Sequence, residues 1–149
     1  MARPISQIVI HQTDTEDATV ESVRNYHKNV LGWRDIGYHY LITLDGVTHK
    51  GRLNSETGAH CQGDNTDSIG ICVVGKGPAF PVDKATGYMS ATMFHSLVRL
   101  IRGLRVAYPT IGTNIWGHRE KRSGISQGKT CPGFDCKMLR VMFGQGGSP

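Results

Sequence analysis

Short runs of β-branched and apolar residues alternate along this chain with segments of helical period. That alternation restricts the fold to α/β: a central mixed β-sheet flanked by helices. The first run, Ile8 to Ile10 in SQIVIHQTDT, reads as a buried strand over residues 7–11. A helix over residues 19–30 follows, with Val20, Val23, His27 and Val30 on one face; Thr19 can cap it and Glu21 suits its positive end. GYHYLITLDGVTHKGR reads as a hairpin, with strands over 38–44 and 47–50 joined by Asp45-Gly46. A strand over 68–74 leads through a Gly/Pro-rich loop to a helix capped by Ser90, where Met93, Phe94, Leu97, Ile101 and Leu104 keep a 3.6-residue period. A strand over 114–117, a Gly/Ser loop and a short helix capped by Asp135 and ending at Phe143 complete the pattern.

A chain of 149 residues without linker or repeat is expected to form one domain, residues 1–143, with a flexible tail at 144–149. The N-terminal apolar run is too short for a signal-peptide core, and no later stretch approaches membrane-spanning length. The expectation is a monomer made and kept in the cytoplasm, without membrane insertion. Its formal charge of +5 suits a polyanionic neighbour such as nucleic acid, a membrane surface or cell wall. Basic residues crowd into HREKR (118–122), Lys129, Lys137 and Arg140, but no aromatics are interleaved as stacking platforms, which argues against direct nucleic-acid binding.

The chemistry concentrates on His11, His118 and Cys131, each where an apolar stretch gives way to a loop. Any one histidine ending a strand is more often a surface or hydrogen-bonded residue. Two imidazoles and a thiolate together match a catalytic zinc site, which takes three protein ligands and leaves one position open. The other cysteines form no CxxC pair: Cys72, inside SIGICVV, reads as a small buried hydrophobe, and Cys61 and Cys136 carry no assigned role. Lys129 lies two positions before Cys131, and in an extended segment both would project to one side. A fixed cation there can stabilise a developing oxyanion. Tyr38 can donate a hydrogen bond to the same charge, although strand alternation leaves open whether Tyr38 and Tyr40 or His39 face the site.

In order along the chain, IVIHQTDT, GWRDIGYHYLI, LDGVTHKGR, GAHCQGDNTDSIGICVVG, GHRE and KTCPGFD resemble the type 2 N-acetylmuramoyl-L-alanine amidases. That superfamily includes the peptidoglycan recognition proteins, and the chain looks most like its compact lysozyme-like members from T-odd coliphages. The resemblance implies one zinc ion on His11, His118 and Cys131, with Tyr38 and Lys129 as the catalytic pair, which resolves the strand parity. It also places His60, in GAHC, near the substrate groove. The implied reaction is hydrolysis of the amide between N-acetylmuramic acid and L-alanine in peptidoglycan, by an endolysin held in the host cytoplasm until a holin opens the way to the periplasm. Cytosolic amidases of wall recycling carry an aspartate as third ligand, so Cys131 argues against that role. T-odd phage amidases also bind and inhibit the phage RNA polymerase, which makes a polymerase the alternative or second partner.

Overall fold

The computed structural model describes residues 3–79 and 87–144. Among these residues, five strands form one sheet in the order β3-β2-β4-β1-β5. β1 (Gln7–Gln12) lies parallel to both β4 (Ser68–Val73) and β5 (Ile115–Gly117). β2 (Tyr40–Ile42) is parallel to β4 and antiparallel to β3 (Thr48–Lys50), so the sheet is mixed, as the alternation of elements implies. Every residue of β1 and β4 is buried, which explains their nearly continuous apolar runs.

Register separates the two faces. Ile10 pairs with Ile71 and Ile71 with Tyr40, while one step on His11 pairs with Cys72 and Cys72 with Leu41. The first face carries the main core, where Ile8, Ile10, Ile69 and Ile71 pack with residues of α2 (Ala91–Ala107). Met93, Leu97 and Ile101 of that helix are fully enclosed, each burial contributing about 1.5–3 kcal/mol. Ser90 caps α2 by accepting the Met93 amide at 3.2 Å. The second face holds a smaller cluster of Val23, Ile36, Leu41, Cys72 and Val74.

α1 (Val20–Asn25) starts in a reciprocal cap. The Ser22 amide donates to Thr19 Oγ1 at 3.0 Å, and the Thr19 amide donates to Ser22 Oγ at 2.9 Å. From Tyr26 to Val30 the helix widens to a π-turn, closed by the Leu31 amide on the Tyr26 carbonyl at 3.0 Å. The wider turn changes the helical phase. Val23 and His27 face inward as the 3.6 period predicts, but Val30 is 65% exposed.

The hairpin forms around Asp45, whose carboxylate accepts from the Thr43 hydroxyl at 2.6 Å and the Val47 amide at 3.1 Å. Its strands are shorter than expected, because residues 37–39 bend rather than extend before β2. The segment read as a Gly/Ser loop instead forms α3 (Arg122–Ser126). α4 (Lys137–Gly144) begins beside Asp135, which accepts the Lys137 amide at 2.9 Å. Gly144, expected in the tail, closes this helix; residues 145–149 lie outside the described residues, as do 80–86 of the Gly/Pro-rich loop. No helix among the described residues is long and apolar enough to cross a membrane.

Candidate active site

β1 and β5 run side by side in parallel, with Ile10 opposite Gly117. One step further, at the carboxyl ends of both strands, the same register brings His11 and His118 together with ring centroids 4.6 Å apart. Cys131 comes from the loop after α3, which is tied to this edge by the Arg119 amide donating to the Cys131 carbonyl at 3.0 Å. Its Sγ lies 3.6 Å from His118 Nδ1, and one ligand atom from each of His11, His118 and Cys131 falls within 4.8 Å of the other two. The Nδ1 to Sγ spacing suits zinc: with bonds of about 2.0–2.1 Å to nitrogen and 2.3 Å to sulfur, the edge of a tetrahedron is about 3.5 Å.

Electrostatics favour ligation by neutral imidazoles. Burial, reinforced by neighbouring His60, His118 and Lys129, holds His11 well below the usual histidine range. Burial and Lys129 lower His118 as well, against the opposing carboxylate of Asp64. The Cys131 thiol is pushed up by burial, while the Gln12 amide and Lys129 pull it back toward the thiolate.

Both histidines are held from behind. His118 Nε2 meets Ser123 Oγ at 3.1 Å, leaving Nδ1 on the Cys131 side. This requires α3 to sit almost on the His118 backbone, and a Cβ at Gly124 would come within 1.7 Å of the His118 carbonyl oxygen. His11 Nε2 meets His60 Nδ1 at 2.9 Å, so its Nδ1 is the nitrogen left for a metal.

Tyr38 and Lys129 line the same cleft as His11, His118 and Cys131, a space of about 370 Å³. The Tyr38 ring packs 5.2 Å from His11 and against the cluster that holds Cys72. Burial raises the phenol well above its ordinary range, so at neutral pH it keeps its proton and can donate. Lys129 is exposed, with its amide anchored on the Gly124 carbonyl at 2.8 Å. Strand parity would have set Tyr38 against His39, yet both lie on the α1 side of the sheet because the bend breaks the alternation. His60 also lines the cleft and is 9% exposed.

Other contributors were not apparent from the sequence. His27 accepts the Gly37 amide at 2.9 Å and packs against Trp33, and both line the cleft. A second cleft of about 430 Å³ shares His27 and Tyr38 and extends along α1 past Ser22 and Tyr26. Ser68 and Ser123 act only through folded contacts, and a lone serine near a loop carries no signal of such a role.

Residues 1–134 match the family model of N-acetylmuramoyl-L-alanine amidase. Among curated proteins, the endolysin of Klebsiella phage KP32 is 33% identical over 135 residues, covering 89% of this chain and 83% of its own length. The endolysin of Escherichia phage T7 is 33% identical over 137 residues, with 87% and 82% covered. Among solved structures, the Ph2119 endolysin from Thermus scotoductus MAT2119 bacteriophage Ph2119 superposes with a TM-score of 0.75 at 30% identity, covering 97% of this chain and 87% of that one. With sequence and fold agreeing over most of its length, the chain belongs to the N-acetylmuramoyl-L-alanine amidase family and is an enzyme of that activity.

Proposed function

We propose that the protein is a zinc-dependent phage endolysin that cleaves the amide between N-acetylmuramic acid and L-alanine of the peptidoglycan stem. The observation that carries this reading is the convergence of His11, His118, Cys131, Tyr38 and Lys129 on one cleft. His11, His118 and Cys131 would hold the metal. When bound there, zinc supplies Lewis-acid polarisation of the carbonyl and a water acidic enough to react near neutrality.

The chain's own groups do the rest. Tyr38, kept protonated by burial, donates a hydrogen bond to the oxygen on which negative charge grows. Lys129 brings a positive charge to the same oxygen and attracts the carboxylates of the stem peptide. The paired clefts along α1 offer an extended groove that suits a polymer strand better than a small substrate. His60 is on the groove wall.

The phage endolysins among the relatives support the lytic role; on this proposal the enzyme acts as a monomer and is stored in the host cytoplasm until a holin admits it to the periplasmic wall. Mass spectrometry of fragments released from purified peptidoglycan tests the bond. Free stem peptides beginning at L-alanine, absent after chelation and with Tyr38→Phe, are the expected result. Cut glycan with stems still attached would refute the assignment.

A further inference from the structure

The His11 ligand has an unusual support. His60 is nine-tenths buried against the sheet, and both of its ring nitrogens are engaged: Nδ1 with His11 Nε2 at 2.9 Å and Nε2 with Ser68 Oγ at 3.1 Å. The space for its ring exists because β4 carries glycine at position 70. A Cβ there would fall 2.6 Å from the imidazole of His60. The backbone is pinned as well, since Asn65 Oδ1 accepts the amides of both His60 and Cys61 at 2.9 Å. The loop leading into it is held by buried Arg52, which donates to the Ile36 carbonyl at 2.9 Å and the Thr57 carbonyl at 2.8 Å.

From this arrangement we infer that His60 is a positioning residue for the metal, acting through His11, with Ser68 as its own anchor. Binding of a cation at Nδ1 of His11 requires the His11 proton on Nε2. That proton goes to Nδ1 of His60, whose remaining proton on Nε2 goes to Ser68 Oγ. The chain Ser68, His60, His11 thus provides an acceptor for the one His11 tautomer that can ligate and fixes the ring's orientation. A groove residue would need a ring nitrogen directed at substrate, and neither is spare. Ser123 holds His118 in the corresponding way, but through a hydroxyl, which can either donate or accept. The His60 contact differs in coupling two rings: His60 Nδ1 can accept from His11 only while its Nε2 carries the proton given to Ser68 Oγ, so the two imidazoles commit their tautomers together.

The inference rests on the zinc reading above, and the test separates the two. Zinc affinity is measured by competition with a chromophoric chelator for wild type, His60→Ala, His60→Asn and His60→Gln, with the visible absorption of cobalt-loaded protein as a second readout. An asparagine carbonyl can replace Nδ1 as acceptor, whereas the glutamine amide nitrogen replaces only Nε2. His60→Ala and His60→Gln are expected to bind zinc about 10–100-fold more weakly and to shift the cobalt bands, with His60→Asn restoring most of the loss. Wild-type affinity in His60→Ala, or a raised KM at unchanged zinc affinity, would overturn the positioning role while leaving the zinc enzyme standing. A wild-type protein that takes up no zinc would overturn both.

Discussion

At the scale of single residues, ligands and catalytic groups differ in what their loss should do. On the proposed zinc reading, Cys131→Ser exchanges a soft sulfur donor for a weak alcohol donor beside two imidazoles that burial keeps neutral. It is expected to lose bound zinc and activity together, as read by metal analysis after dialysis and by release of stem peptides. Lys129→Ala and Tyr38→Phe leave the ligand set intact, so zinc content should remain at one per chain while kcat falls about 10²–10³-fold, the scale of losing one oxyanion donor. Full activity in the metal-replete cysteine variant, or zinc loss in the lysine variant, would contradict these roles.

At the scale of elements, the sheet keeps stability and chemistry on opposite faces. α2 seals the apolar side, and its Leu97 is fully buried in the main core and does not line the cleft. Leu97→Ala is expected to cost about 2–5 kcal/mol in denaturant unfolding while leaving kcat per folded molecule near wild type. α1 covers the other side, and its capping pair organises the turn before the π-segment that carries His27. Thr19→Ala removes the acceptor for the Ser22 amide and should cost about 1 kcal/mol, with unfolding midpoints as the measurement. An unchanged midpoint would show the cap to be dispensable.

At the scale of the whole molecule, burying histidines under the sheet makes stability depend on pH. His39 is completely enclosed, its Nδ1 accepting the Gly70 amide at 3.0 Å and its Nε2 donating to the Glu56 carbonyl at 2.8 Å. Burial brings its pKa down to about 4. In the unfolded chain it titrates at about 6.5, so between these values the unfolded state binds a proton that the folded state refuses. The stabilisation is complete above that upper value and is lost progressively as pH falls toward about 4, by as much as about 3 kcal/mol from this residue alone. His11 and His60 are lowered by burial too and act in the same direction in the metal-free protein. Urea midpoints of the apo-protein should therefore decline across this window. A flat profile would show that these rings are more open to water than the fold implies.

What the sequence alone determined follows from local periodicity and residue chemistry. The buried strands, the amphipathic α2, the Asp45-Gly46 turn, the Thr19 and Ser90 caps and the mixed sheet all express themselves over a few neighbouring residues. That His11, His118 and Cys131 belong together was legible because two histidines and a cysteine at the ends of apolar stretches are a chemically restrictive set, and the fold gathers them within 4.8 Å. Tertiary structure alone decided the rest. The π-turn that exposes Val30 and the bend that puts Tyr38 and His39 on one side depend on packing between segments distant in the chain, and each breaks the regular period on which pattern reading relies. The loop that became α3, and the placement of Ser123, Ser68 and His60 behind the ligands, likewise arise from contacts across the fold. A hydrogen-bond partner for a metal ligand is selected by distance and angle in space, and sequence spacing carries no record of either.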